Sequence, residues 1–125
     1  MVSNPFAEHI ALAVESVSDG RSVTTLCIAP EHLNPHGVMH GAVAFALADT
    51  GMGAAVYTRL KPGQSCATIE LKINFLATAR GGTLRCESEV LRMGRSVAYL
   101  ESRVECDGVL VATVSGHYAV FAPRG

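Results

Sequence analysis

An acidic residue within an otherwise apolar helix is the feature of this sequence that most clearly indicates chemistry. The stretch 41–56 contains no proline and is rich in alanine and large apolar residues, which predicts a helix. Its apolar residues fall on every face, as is typical of a helix that is buried all round. Asp49 is the one charged residue in that stretch. Because an isolated buried carboxylate is costly unless it is paired, protonated or used, Asp49 is a candidate general base or nucleophile.

The start of this predicted helix offers a second chemical group, a set of backbone N–H donors. Residues typical of turns, helix caps and close backbone approach lie before it or at its first position: Asn34, Pro35, Gly37, His40 and Gly41. The first N–H groups of a helix have no partner within the helix, so they bind anions or the negative charge on an oxyanion. The N–H of Gly41 is therefore predicted to be such a donor.

The spacing of these two groups predicts a dimer. Asp49 follows Gly41 by eight positions, which is about 12 Å along a helix and too far for both to touch one reacting carbonyl. If two copies of the helix pack antiparallel across a two-fold axis, the start of each helix faces Asp49 of the other chain. We therefore expect an obligate homodimer with two composite sites, or a dimer of such dimers.

Asn34, His40, Gly41 and Asp49 at these spacings resemble the signature of hotdog-fold acyl-CoA thioesterases of the PaaI type, an asparagine followed by His-Gly-Gly and an aspartate. The resemblance covers nearly the whole chain, including its length and order of elements. One position departs from it, because Ala42 replaces the second glycine. The resemblance implies an α+β hotdog fold, in which an antiparallel sheet of about six strands wraps around one long central helix.

The resemblance also implies hydrolysis of an acyl-CoA thioester and a role for each site residue. Asp49 would deprotonate the attacking water or attack the thioester carbonyl itself. The Gly41 N–H would stabilise the oxyanion, and Asn34 would polarise or position the same carbonyl. His40 would fix the loop or help to polarise the carbonyl. Thr68, at the start of the strand after the helix, would hold the carboxylate or its water.

Three further residues are candidates for substrate binding. Coenzyme A carries a pyrophosphate and a 3′-phosphate, so its site should contain Arg or Lys on loops, and Arg80 and Arg95 in glycine-containing turns are the best candidates. His117 is a candidate for lining the acyl pocket. We expect a small to medium acyl group, and the resemblance to phenylacetate-pathway enzymes favours an aromatic one. No metal or redox cofactor is implied.

Two alternative functions are weighed against thioester hydrolysis. An enoyl-CoA hydratase of the same fold typically has a histidine five residues after its aspartate, but Ala54 occupies that place after Asp49. A non-catalytic acyl-CoA-binding protein would keep the pocket without needing Asp49. Thioester hydrolysis is therefore favoured over both.

Length and composition limit the remaining possibilities. A chain of 125 residues with 49% apolar content predicts a single domain over residues 1–125. Charged residues make up only 17%, which predicts that other subunits cover part of the surface. The net charge of −1 gives no general attraction to nucleic acid. The four cysteines are widely spaced without a C-x-x-C pair, and this predicts reduced core thiols rather than a metal site.

The sequence also predicts a location and a set of strands. The first ten residues lack a secretion signal, and His40 and Asp49 argue against a membrane span, so a cytoplasmic protein is expected. Turn residues at 18–21 predict a first hairpin. Four further strands are predicted at residues 67–77, 83–91, 96–105 and 110–121, with apolar and polar residues alternating in the first of them.

Overall fold

One long helix and a six-stranded sheet make up the core of this chain. The computed structural model describes residues 3–124. The elements in chain order are α1 (Pro5–His9), β1 (Ala13–Ser18), β2 (Arg21–Cys27), a 3₁₀ turn (Pro30–His32), α2 (Gly41–Tyr57), β3 (Ser65–Phe75), β4 (Thr83–Met93), β5 (Val97–Cys106) and β6 (Val109–Phe121). No helix within residues 3–124 is both long and apolar enough to cross a membrane.

The sheet is antiparallel throughout, with the strand order β1-β2-β4-β5-β6-β3. Its inner face packs around α2, so the predicted α+β class and the six-stranded sheet around one helix are confirmed. The helix begins at the predicted residue, Gly41. The β5–β6 hairpin turns at Asp107 and Gly108, which both have positive φ, 48° and 86°. An Asp-Gly pair favours this conformation, because both central residues of the turn need positive φ.

The core lies between α2 and the inner face of the sheet. Leu47, Met52 and Val56 of the helix are fully buried there. Two buried hydroxyls of β2 bond to helix carbonyls: Ser22 Oγ donates to the Gly51 oxygen at 2.5 Å, and Thr24 Oγ1 donates to the Leu47 oxygen at 2.9 Å. The helix therefore lies close against β2 at Gly51.

The prediction that α2 is buried all round is wrong for the single chain. Phe45 is 39% exposed and Tyr57 is 58% exposed, and Ala42 is also exposed. These residues share a side of the helix with the half-buried Asp49, because positions three and four apart lie on one face. The sheet of one chain covers only the other side. We refer to Ala42, Phe45, Asp49 and Tyr57 as the open face of α2.

Strand β3 lies at the edge of the sheet and does not alternate regularly. Its register with β6 skips Ile69, because Thr68 pairs with Tyr118 while Glu70 pairs with His117. This β-bulge leaves Ile69 57% exposed and moves Thr68 to the inner face of the sheet. The expected pattern, with Ile69 on the apolar face and Thr68 on the polar face, is therefore wrong at these two positions.

The prediction of four core thiols is half right. Cys86 and Cys106 are buried, but Cys27 is exposed and Cys66 is only half-buried. Cys27 faces outward because it ends β2 on the side of the sheet away from α2, whereas Cys66 belongs to the edge strand β3. All four are free thiols.

Replacing Gly51 by alanine should destabilise the fold. A Cβ at Gly51 would lie 2.8 Å from Ser88 Oγ and 3.2 Å from Ser22 Oγ, so we expect overpacking to cost about 1 to 3 kcal/mol, more than the helix propensity gained. Gly53→Ala is the matched control, since the nearest atom to its Cβ would be Tyr118 Cε2 at 3.9 Å. We expect that variant to be more stable by about 0.5 to 1 kcal/mol. Denaturant unfolding measures both, and equal effects would contradict the close packing at Gly51.

Candidate active site

Asp49 is held by hydroxyl groups from two neighbouring strands. Thr68 Oγ1 donates to Asp49 Oδ1 at 2.7 Å. The Tyr118 hydroxyl contacts the same Oδ1 as a donor and also lies 2.8 Å from the Asp49 backbone oxygen. Within residues 3–124 no hydrogen bond reaches Oδ2. One carboxylate oxygen is therefore fixed by the protein, and the other remains free to meet a water or a substrate.

The sheet register explains why these two hydroxyls meet at Asp49. Thr68 of β3 and Tyr118 of β6 are directly paired, so both side chains point toward α2. The bulge at Ile69 is required for this, because regular alternation back from Leu71 would turn Thr68 outward. Asp49 lies on the helix beside this pair.

Burial and the charge of Asp49 act on two neighbouring titratable groups. The pKa of Tyr118 is raised far above its ordinary value, first because the phenol is buried and then because it bonds to and lies near Asp49. The pKa of the Cys66 thiol is raised by burial and, to a smaller extent, by the charge of Asp49. Both groups are therefore neutral at physiological pH, and Tyr118 acts as a hydrogen-bond donor rather than as a base.

The start of α2 presents an unpaired backbone donor. His40 is the N-cap of the helix, and its Nδ1 accepts from the Ala42 N–H at 2.9 Å. The Gly41 N–H makes no hydrogen bond within the described residues. A Cβ at Gly41 would lie 2.9 Å from Phe75 Cζ, so the Phe75 ring borders this donor. The Gly41 N–H can therefore bind an oxyanion next to an aromatic wall.

Asn34 belongs to the turn that leads into this helix. Its Oδ1 accepts from the N–H groups of His36 at 2.9 Å and Val38 at 3.3 Å. These bonds satisfy the loop, which is the ordinary structural role of a turn asparagine. They also fix the amide so that its Nδ2 donor is left for another partner. Its contact with a substrate carbonyl stays a prediction.

The turn is anchored from behind by a buried histidine. His32 is 3% exposed. Its Nδ1 accepts from the Ala29 N–H at 2.9 Å, and its Nε2 lies 2.7 Å from the Ile10 oxygen. Its backbone oxygen in turn accepts from the His40 N–H at 2.8 Å. His32 therefore fixes the position of the helix start, a role that sequence reasoning missed.

The structure separates the two arginines predicted to bind coenzyme A. Arg80 borders the turn before α2, since a Cβ at Gly37 would lie 3.9 Å from its guanidinium. Arg95 instead lines a cavity of about 310 Å³ together with Arg59 and Lys61, beyond the other end of the helix. A helix of 17 residues is about 25 Å long, so the two arginines of one chain lie near opposite ends of α2.

His117 does not join the site of this chain. It pairs with Glu70 across the sheet, and its Nδ1 lies 3.1 Å from Glu70 Oε1. Its ring also contacts Tyr99, with centroids 4.9 Å apart. These residues lie on the outer face of the sheet, because neighbouring strand residues point to opposite sides and Tyr118 points inward. Within one chain His117 therefore lies on the opposite face of the sheet from Asp49, and its role in lining the acyl pocket stays a prediction.

Comparisons with known proteins assign the family. The model of the Thioesterase superfamily matches residues 36–113, more than half of the chain. The chain belongs to the thioesterase superfamily. It is a thioester hydrolase, and the hotdog fold expected from its resemblance to PaaI-type enzymes is confirmed.

Two solved structures and one characterised relative are similar to this chain. A conserved protein of Pseudomonas aeruginosa, PA5202, is 32% identical with a TM-score of 0.91, covering 95% of both chains. A mutant of the phenylacetic acid degradation protein PaaI from Thermus thermophilus is 25% identical with a TM-score of 0.86, covering 93% of this chain and 98% of that one. A 1,4-dihydroxy-2-naphthoyl-CoA hydrolase of Listeria monocytogenes is 25% identical over 97 residues, 78% of this chain and 79% of that one.

Tyr118 is the residue in contact with Asp49 that sequence reasoning missed. A faint signal for it exists, because a tyrosine on the apolar face of a buried strand needs a partner for its hydroxyl. Asp49, the polar residue of the apolar helix, needs a donor in the same way. Strand register, which the sequence does not reveal directly, is what brings the two together.

Substitutions at His40 should separate its capping role from any role in catalysis. Loss of the Nδ1 cap in His40→Ala should lower the free energy of unfolding by about 1 kcal/mol, whereas His40→Asn supplies another good cap and should restore most of it. Denaturant unfolding measures this difference. Equal stability of the two variants would show that the Nδ1 contact does not cap the helix in solution. Thioester hydrolysis by the Asn variant then reports the catalytic role, because the cap is retained.

Proposed function

We propose that this thioester hydrolase acts on acyl-CoA, with Asp49 as general base or nucleophile and the Gly41 N–H as oxyanion donor. The observation that carries the proposal is the Asp49 carboxylate, which is anchored through Oδ1 while Oδ2 has no partner in the described chain. A purely structural carboxylate on an apolar helix would be expected to use both oxygens. The free oxygen at a fixed position is instead what proton abstraction or attack requires.

Two routes of hydrolysis fit this carboxylate. In the first, Oδ2 takes a proton from water while the water oxygen bonds to the thioester carbon, and the C–S bond then breaks to release coenzyme A. In the second, Oδ2 bonds to that carbon, the thiolate leaves, and water opens the resulting anhydride. In both routes negative charge develops on the carbonyl oxygen. The Gly41 N–H, at the positive end of α2, is suited to stabilise it.

The proposed active site is shared between two chains. Asp49 lies about 12 Å along α2 from Gly41, so the two cannot reach one carbonyl from the same chain. The open face of α2 and the edge strand β3 expose adjoining apolar side chains, among them Phe45 and Phe75, which is 53% exposed. A second copy across a two-fold axis would cover these side chains and bring its own Asp49 to the Gly41 donor. Homodimers, alone or paired as a dimer of dimers, are therefore part of the proposal.

The substrate proposal concerns both ends of acyl-CoA. Arg80 is the better-supported phosphate contact, because it borders the turn that leads to the Gly41 donor. An aromatic acyl group is favoured by the Phe75 ring at the same place. The names of two similar proteins, a dihydroxynaphthoyl-CoA hydrolase and a phenylacetic acid degradation protein, point in the same direction. The proposed chemistry needs no metal or redox cofactor.

Asp49→Asn should abolish most activity while preserving the fold. The substitution keeps the side-chain volume but removes the base or nucleophile, so we expect turnover of acyl-CoA to fall by roughly a hundredfold or more. Thiol release measures turnover, and calorimetry with a non-hydrolysable acyl-CoA analogue should give affinity close to wild type. Asp19→Asn, at a surface site paired with Arg59, is the matched control and should remain active. Normal turnover in Asp49→Asn would show that Asp49 is neither the base nor the nucleophile of the reaction.

Mixing two inactive variants tests the shared site. Asn34→Asp is the sharpest partner for Asp49→Asn, because it keeps the oxygen that bonds to the turn and replaces only the free Nδ2 donor. In a mixed dimer, one site combines intact Asn34 from one chain with intact Asp49 from the other, and the second site carries both defects. Random mixing of equal amounts should therefore restore up to roughly a quarter of wild-type activity. If subunit exchange is demonstrated and hydrolysis is not recovered, the catalytic groups of one site all come from a single chain.

A further inference from the structure

We propose that Tyr118 is a positioning residue that, together with Thr68, holds Asp49 by Oδ1 and so selects Oδ2 as the reacting oxygen. The inference rests on the proposed function, since it concerns how Asp49 is presented to the thioester. It adds a residue that touches neither substrate nor reacting atom and acts only through the carboxylate. Its test must therefore report on the state of that carboxylate.

The contacts of Tyr118 fix both the position and the rotation of the Asp49 side chain. Its hydroxyl meets Oδ1 and lies 2.8 Å from the backbone oxygen of the same residue. The side chain is thereby tied to its own backbone, which limits rotation about its χ angles. Thr68 donates to the same Oδ1 from the neighbouring strand. Two donors converging on one oxygen leave the other without a protein partner.

Tyr118 itself is held firmly enough to act in this way. It is 2% exposed, and its backbone lies within β6, between β5 and β3. Its ring faces α2 near Gly53. The hydroxyl therefore meets Asp49 from rigid secondary structure on both sides, which is how precise sites are built.

Both donors favour the ionised carboxylate, so their removal should change the pH dependence of the reaction. Tyr118 of β6 and Cys66 of β3 are the titratable groups that interact with Asp49 from the strands beside it. Both groups are neutral at the acidic and neutral pH values where the acid limb is measured. The inner faces of β2, β4 and β5 present uncharged residues to α2. The acid limb of the pH–rate profile therefore reports the ionisation of the carboxylate with few competing groups.

Tyr118→Phe removes the hydroxyl and keeps the ring. We expect kcat to fall roughly tenfold with KM changed less than about twofold, because the reacting oxygen is misplaced while substrate contacts remain. The acid limb of kcat/KM should move to higher pH, since one donor to the ionised form is lost. Tyr99→Phe is the matched control. It makes the same change on the outer face of the sheet. We expect kcat, KM and the pH dependence of kcat/KM to remain as in wild type.

Thr68→Val provides an independent variant, in case Tyr118→Phe does not fold. It removes the second donor to Oδ1 and should shift the acid limb in the same direction, whereas Thr68→Ser keeps the hydroxyl and should shift it less. An unmoved acid limb in a folded Tyr118→Phe or Thr68→Val enzyme would overturn the proposal, and so would a change confined to KM. These failures are separate from failure of the proposed function, which is recognised by full activity of Asp49→Asn.

Discussion

The rest of the structure depends on how β2 fixes the rotation of α2. Ser22 and Thr24 donate to the carbonyls of Gly51 and Leu47, which are four residues and about one turn apart. Two hydrogen bonds along one side of a helix fix its rotation about its own axis and its position along that axis relative to the sheet. Asp49 lies midway between the two acceptors, about 200° around the helix from each. The bonds to β2 therefore turn Asp49 away from β2 and toward the opposite end of the sheet.

That opposite end holds the hydroxyls that Asp49 needs, and a single irregularity puts one of them there. Without the bulge at Ile69, Thr68 would lie on the outer face with Lys72 and Asn74, and Tyr118 alone would meet the carboxylate. The bulge leaves an apolar side chain exposed at the sheet edge, which is unfavourable for an isolated chain in water. Bulges are often found beside active sites, where they redirect a side chain. Here the redirected side chain is Thr68.

The sequence predicted the helix and the six strands because these follow from local periodicity and turn residues. It predicted that Asp49 lies on the helix because Asp49 is the one charged residue in an apolar helical stretch. It did not predict Tyr118 as a partner of Asp49, since contact between residues 69 positions apart depends on register. The sequence also did not predict the bulge at Ile69. Apolar and polar residues alternate on both sides of it, so the sequence shows no break, and only the pairing of β3 with β6 reveals it. The sequence predicted burial on every face of α2, and this is too much for one chain. An apolar residue on the helix indicates that its surface is suited to burial, but not whether the sheet of the same chain or a second subunit would cover it.

The open face of α2 links the folding of one chain to the chemistry proposed for two. A half-buried carboxylate with a free Oδ2 tolerates its position in the single chain because water can reach it. If a second copy covers Phe45 and the neighbouring apolar side chains, bulk water is excluded from around the carboxylate while the reacting water is retained. The bonds from Tyr118 and Thr68 to Oδ1 then become stronger in the lower dielectric. The same contact would bring the oxyanion donor of the second chain to Oδ2. In this arrangement the carboxylate reaches its reactive environment only when the dimer has formed, so a separated chain would carry every catalytic group and still lack a complete site.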